Sequence, residues 1–262
     1  MEKNKKVQFA DIGRVDYKET WDFQESLLAS ISKIKLDNRA KNAQISNIDF
    51  PLSSSHFPLP SPNYLLFCEH NPVYTLGKSG NENHLLLQEP FLQTIGASYY
   101  RTNRGGDITF HGPGQLVGYP ILDLDNFTTD IHLYLRNLEE VIIQVCASYG
   151  LVAGRVEGLT GVWIEPDKPE KRKICAMGVK ASRWITMHGF ALNINTDLTY
   201  FDHIVPCGIA EYGVTSLKKE LGRELDVKEV KLKVVAAFAD LFQAQIQNVS
   251  RETLENITNE KL

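Results

Sequence analysis

Two hydrophobic rhythms run along the chain. The first is helical. Tyr17, Trp21, Gln24, Leu28 and Ile31 form one stripe, with Leu27 and Ile34 beside it, and predict a helix from about Asp16 to Lys35. Periodicity stops over Asp37–Asn63, where Pro51, Pro58, Pro60 and Pro62 accompany the run Ser53–Ser54–Ser55. A connection that long is uncommon inside a compact domain and reads as a loop insertion. A second helical stripe, Ile131, Leu135, Leu138, Ile142 and Val145, is closed by Gly150. A third, Val230, Val234, Phe238 and Leu241, is opened by Asp226 and Glu229 at capping-box spacing.

The second rhythm is that of strands. Tyr64–Cys68 is a short apolar strand leading into Glu69–His70–Asn71–Pro72. Ile108–Phe110 and Val117–Leu124 flank the turn Gly112–Pro113–Gly114, and Thr160–Ile164 and Lys173–Ala181 flank Pro166–Asp167–Lys168–Pro169. Phe190–Ile194 is one more strand. Strand–turn–strand units outnumber strand–helix–strand alternations, which predicts an α+β fold with a mixed, mainly antiparallel sheet and flanking helices. No repeat or shift in composition marks a boundary. A single domain over residues 1–249 follows, with 37–63 as the loop insertion and 250–262 as a polar tail that frays.

Composition narrows the class without choosing a function. The 262 residues suffice to bury about three-quarters of the unfolded surface, so no disulfide or metal staple is needed. With 43% hydrophobic and 23% charged residues the mix is that of a soluble globular protein. A net charge of −4 excludes a generally basic nucleic-acid binder. The N-terminal Met1–Phe9 has positive charge but no apolar stretch behind it, so no signal peptide is expected. The longest apolar run, Val234–Ala239, is far too short for the roughly 20 residues of a membrane span. Four cysteines without paired spacing fit a reducing, cytoplasmic setting.

Three features carry candidate chemistry. Cys68, Cys146 and Cys175 sit in apolar strand or helix contexts and read as buried small hydrophobes. Cys207 stands in Val205–Pro206–Cys207–Gly208, where neither helix nor central strand continues, and a cysteine on such a turn is accessible for reaction. Groups available to lower its pKa or take its proton are His70, His111, His188, His203 and the basic Lys171–Arg172–Lys173. His203 and Cys207 are the nearest approach to a metal-ligand spacing and match no zinc motif. The second feature is Arg104–Gln115, whose glycines either let backbone approach a ligand closely or supply the positive φ that the turns of a hairpin need. It fails the dinucleotide fingerprint, and Gly77–Lys78–Ser79 fails the P-loop because its upstream glycine position is Pro72. The third is Met187–Asn195, where Gly189 inside a strand marks a bulge or a close approach to backbone.

Taken together, these segments resemble the octanoyl-[acyl-carrier-protein]–protein N-octanoyltransferases, the lipoate-protein ligase B family. The matching pieces are Arg104–Gln115, Gly161–Ile164, Lys173–Gly178, His188–Asn195 and Pro206–Gly208, in the family's order. The resemblance implies the fold of the biotin and lipoate protein ligase catalytic domain. It implies that Cys207 forms an acyl-thioester and that Lys173 lowers its pKa. It maps the acyl pocket onto Arg104, Gly105, Gly106, Asp107, Ile108, Thr109, Phe110 and His111, onto Ala176, Met177 and Gly178, and onto Gly189, Phe190 and Ala191. The implied reaction moves an octanoyl or lipoyl group from acyl carrier protein to a lysine of lipoyl domains, the first step of endogenous protein lipoylation. The implied acceptors are the E2 subunits of 2-oxoacid dehydrogenases and the glycine cleavage H protein, with no cofactor beyond the carrier's phosphopantetheine, no nucleic acid and no membrane. An ATP-dependent lipoate or biotin ligase of the same fold, and a non-catalytic module that binds lipoyl domains, are the alternatives. Two positional expectations follow. Lys173 and Lys180, seven apart on one strand, face opposite sides if no bulge intervenes. Lys171, Arg172, Lys180 and Arg183 form the densest basic set near the motifs and would meet an acidic carrier.

Overall fold

The computed structural model describes residues 3–45, 59–205 and 212–259. In chain order it contains β1 (Lys6–Val15), α1 (Tyr17–Ile45), β2 (Tyr64–His70), β3 (Val73–Leu76), α2 (Glu89–Thr94), β4 (Ser98–Arg101), β5 (Ile108–His111) and β6 (Gln115–Ile121). There follow α3 (Ile131–Ala147), β7 (Ala153–Val156), β8 (Leu159–Ile164), β9 (Arg172–Ser182), β10 (Ile185–Asn193), β11 (Gly213–Val214), α4 (Leu217–Leu221), α5 (Val227–Phe242), β12 (Gln245–Asn248) and α6 (Arg251–Asn259). The main sheet has the order β12-β1-β2-β6-β10-β9-β8-β7, with β11 paired to β9. The run from β2 to β7 is antiparallel, whereas β1 lies parallel to both β12 and β2.

Each face of this sheet buries its own apolar set. Leu65, Phe67, Leu116, Val162, Cys175 and Leu192 meet Leu138, Val141 and Ile142 of α3 and Val230, Val234 and Phe238 of α5. On the opposite face Tyr64, Leu66, Val117, Tyr119 and Ala191 meet Leu27 and Ile31 of α1 and Leu254 of α6. A second sheet, β4-β3-β5, buries Tyr74, Leu76, Ile108 and Phe110 against Phe201 and Ile204.

Four expectations need correction. Helix α1 does not stop near Lys35 but runs through Asp37 to Ile45, and residues 46–58 of the expected insertion lie outside the described residues. Leu36, Asp37, Arg39 and Ala40 are exposed and residues 36–45 carry no apolar stripe, so periodicity is silent although nothing there breaks a helix. Residues 250–259 do not fray: Ser250 caps α6 by accepting from the Thr253 N–H at 3.1 Å, and Leu254 is fully buried, while residues 260–262 of the expected tail lie outside the described residues. Gly112–Pro113–Gly114 does not close a hairpin, since β5 pairs in the small sheet and β6 in the large one. The capping box is half formed: Asp226 accepts from Lys228 N–H at 2.9 Å, but the Glu229 carboxylate turns to Lys233 and the Tyr149 hydroxyl.

Candidate active site

A cavity of about 340 Å³ opens on the α1 face of the main sheet, within the range of small-molecule sites. Its floor is β6, β9 and β10, its rim the segment Arg104–Thr109, and its remaining walls are Tyr17 of α1 and Gly158–Thr160 at the tip of the β7–β8 hairpin. Of the residues assigned to the acyl pocket, Arg104, Gly106, Asp107, Ile108, Thr109, His111, Ala176, Met177, Gly178, Gly189, Phe190 and Ala191 line it, together with Lys173. Gly105 and Phe110 do not. Gly105 turns its N–H onto the carbonyl of Val179 at 2.9 Å, and Phe110 stacks on Tyr200 at 4.5 Å in the small-sheet core. Tyr17, Ser79, Val117, Tyr119, Gly158, Leu159, Thr160 and His188 complete the lining. Of these, only His188 stands out in sequence, because the rest belong to ordinary helix, strand and turn segments.

The rim is held by backbone. The buried Arg104 guanidinium donates to the carbonyls of Thr75 at 2.6 Å, Gly105 at 3.0 Å and Asp107 at 2.7 Å, which closes the rim on itself. A Cβ on Gly178 would lie 2.6 Å from the Gly105 carbonyl oxygen, so the rim packs on β9 only because that residue is glycine. At Gly189 the close approach comes from the neighbouring strand: a Cβ there would strike the Gly118 carbonyl of β6.

Lys173 lines the cavity. It is buried, with Nζ 4.6 Å from the centre of the Trp163 ring. Between β8 and β9 the pairing steps from Val162↔Cys175 to Trp163↔Lys173, so Ile174 is an extra residue in β9. Ile174 and Cys175 consequently both enter the α3 core, and Lys173 joins Ala176 and Gly178 on the cavity side. A bulge does intervene, so the condition for opposite faces is not met: Lys180 shares that side and reaches Glu25 of α1 at 3.1 Å. The bulge reverses the parity.

Cys207 and its neighbours Pro206 and Gly208 lie outside the described residues. On the far side of that segment, Val214 pairs with Lys173 and the Thr215 N–H donates to the Lys173 carbonyl at 2.9 Å. A buried polar chain secures this shoulder. Asn193 Nδ2 donates to the Thr215 carbonyl at 3.0 Å, Gln115 Nε2 donates to Asn193 Oδ1 at 2.9 Å, and Gln115 Oε1 lies 2.9 Å from His111 Nδ1. Because the Gln115 amide nitrogen is already donating, His111 Nδ1–H is the donor to its oxygen. Burial, with His70 and Arg104 nearby, lowers the His111 pKa to about 3, so it is a neutral strut. His188 adopts φ of 60°, donates its backbone N–H to Gln24 Oε1 at 2.8 Å, and sets its ring against Asn103 Oδ1 at 2.7 Å. Its pKa is lowered to about 3, first by burial and then by Arg104.

The other three cysteines are fully buried, and desolvation raises the Cys146 thiol to about 12 and pushes Cys68 and Cys175 up as well. The basic set is largely engaged. Arg172 pairs with Glu220 at 2.5 Å and Glu165 at 2.8 Å, and Lys180 pairs with Glu25. Among the described residues no group of three or more His, Cys, Asp or Glu could hold a metal, and no helix is long and apolar enough to cross a membrane.

A mixed sheet with a rim of glycine-rich backbone beside an open pocket, lined by a buried lysine, is a frame that can receive a small ligand, and comparison with known proteins gives its class. Residues 16–239 match the model of the lipoyl protein ligase A/B catalytic domain. The chain is 57% identical over 244 residues to an octanoyltransferase of Flavobacterium johnsoniae, covering 93% of this chain and 99% of that one. It is 54% identical over 251 residues to an octanoyltransferase of Cytophaga hutchinsonii, covering 95% and 98%. A solved structure of a bi-partite lipoate protein ligase from Thermoplasma acidophilum superposes with a TM-score of 0.65 at 15% identity, covering 97% of this chain and 91% of that one. The chain belongs to the lipoyl protein ligase A/B catalytic-domain family. Within that family it is an acyltransferase of the octanoyltransferase kind.

Proposed function

We propose that the chain transfers an octanoyl group from acyl carrier protein to a lysine of lipoyl domains through a thioester on Cys207. The thiolate attacks the carbonyl carbon of the carrier's thioester, the bond from that carbon to the phosphopantetheine sulfur breaks, and the carrier leaves as a thiol. Thioester exchanges for thioester, so this step is near balance and needs no nucleotide. The ε-amine of the acceptor lysine then attacks the acyl-enzyme, an amide forms, and Cys207 is released as thiol. Lys173 favours the thiolate and passes protons in the two transfers. Backbone along the rim, Ala176 and Gly178 of β9 and Gly189 and Ala191 of β10 receive the acyl chain.

The observation that carries this reading is Lys173 in the lining of the cavity, with Val214, on the far side of the Cys207 segment, paired to it. Burial of the other three thiols leaves Cys207 as the cysteine for nucleophilic work. The acceptors proposed are the E2 subunits of 2-oxoacid dehydrogenases and the glycine cleavage H protein, and the setting proposed is the cytoplasm. An ATP-dependent ligase is the reading that fold alone would equally allow, and the octanoyltransferase relatives favour transfer. Octanoyl-carrier and an unmodified lipoyl domain, mixed with the enzyme in the absence of nucleotide, should give an octanoyl-amide on the domain. Product formed only from free octanoate with ATP would replace this reading with that of a ligase.

A further inference from the structure

Glu139 of α3 is a carboxylate with no solvent exposure, on the face of the sheet away from the cavity. Burying a charge is costly, and apolar residues of similar size would fill such a place at no such cost. Its three contacts show what it holds. Oε2 meets Arg155 Nε and Arg136 at 3.0 Å each, and Oε1 accepts from the Gly161 N–H at 2.9 Å.

Two of these partners, Arg155 and Gly161, sit where the β7–β8 hairpin is irregular. The pairing goes from Gly154↔Trp163 to Val156↔Leu159, which leaves Arg155 on one strand against three residues, Thr160–Val162, on the other. Gly161 has a Cα partner in neither neighbouring strand, so its N–H needs an acceptor from elsewhere, and Glu139 supplies it. Gly161 has φ of +116°, and a Cβ there would lie 2.6 Å from the Cys175 carbonyl and 3.5 Å from the Lys173 side chain. Arg155 is held further by Glu140 and by the Arg136 carbonyl, both at 2.7 Å. One carboxylate thus pins the bulge that underlies the Lys173 stem and the hairpin whose tip, Gly158–Thr160, walls the cavity.

We infer that Glu139 is a positioning residue for acyl transfer: through Gly161 and Arg155 it fixes the place of Lys173 and of the cavity wall. The inference rests on the octanoyl-transfer reading for its kinetic consequence, but not for its structural one. Glu139→Ala should lower kcat for octanoyl transfer about 10–100-fold, the scale of a displacement near 1 Å, and leave KM for octanoyl-carrier within about threefold. Glu139→Gln keeps an acceptor for the Gly161 N–H and should recover most of kcat. In parallel, hydrogen exchange at Gly158–Gly161 should quicken in Glu139→Ala while exchange in β2 and β6 is unchanged. Should Glu139→Ala fail to fold, Glu139→Gln and Arg155→Gln decide, the first near wild type and the second slowed with faster exchange at the hairpin tip. A folded Glu139→Ala with wild-type kcat and exchange, or a Glu139→Gln as impaired as the alanine variant, would overturn the inference. Altered exchange in a protein whose wild type transfers no octanoyl group would instead count against the functional reading and leave the positioning intact.

Discussion

Ile174 is one residue more than β8 has to pair with, and that surplus decides which way Lys173 faces. Alternation along an unbroken strand would send Lys173 and Lys180 to opposite sides, and a one-residue bulge sends them to the same side. Nothing in Lys173–Ile174–Cys175 announces the bulge, since Ile174 and Cys175 are both apolar and suit either face. The two lysines are told apart by their neighbours instead. Lys173 lines the cavity over Trp163, whereas Lys180 is tied to Glu25 on α1. Lys173→Ala should therefore shift alkylation of Cys207 to higher pH and slow both acyl transfers, each unit of thiol pKa being worth about 1.4 kcal/mol. Lys180→Ala should leave the thiol titration and single-turnover transfer nearly unchanged. Alkylation rate against pH in the two variants makes the comparison, and a shift with Lys180→Ala but not with Lys173→Ala would reverse the assignment.

The elements most legible in the sequence are those with one buried stripe. α3 and α5 present apolar residues at helical spacing to the sheet, and β2, β6, β8, β9 and β10 are runs that the core needs. What stayed hidden follows from the same physics. β1 buries Val7, Ala10 and Val15, with the half-buried Phe9 and Ile12 and polar residues between them in no strict alternation, and its outer neighbour is the short β12. α6 offers the core one fully buried side chain, Leu254, which is too little for a period to show. Beyond Lys35, α1 continues through a mostly polar sequence. The Arg104–Gln115 motif was legible as a ligand-facing segment, but its glycine turn carries the chain from one sheet to the other, a long-range outcome that local turn signals do not encode. Gly105 and Phe110 show the same limit within the motif: one backs onto β9 and the other points into the small-sheet core.

At the scale of the whole molecule, α1 is joined to the sheet over buried neutral histidines. Tyr17 packs on His70 and His111, and Gln24 accepts from the His188 N–H. Burial lowers His70 to about 4 and His111 and His188 to about 3, below the unfolded value near 6.5. The sign is fixed by proton counts. Between about pH 3 and pH 6.5 the unfolded chain binds more protons, so stability is complete above about pH 6.5 and falls as pH drops through that window. Each histidine contributes up to about 1.4 kcal/mol per pH unit to the slope. Urea unfolding at pH 7 and pH 5 should show a marked loss at the lower pH, smaller in His111→Gln. Equal stability at the two values would mean that these histidines are not held neutral.

The claim on which the rest depends is that the acyl group passes through Cys207. The most direct measurement is the intact mass of the enzyme after mixing with octanoyl-carrier in the absence of nucleotide and acceptor. Wild-type protein should gain one octanoyl group, hydroxylamine should remove it as expected of a thioester, and an added lipoyl domain should discharge it. Cys207→Ala should remain unmodified under the same conditions. An unmodified wild type that still transfers octanoyl, or equal acylation of Cys207→Ala, would contradict the account.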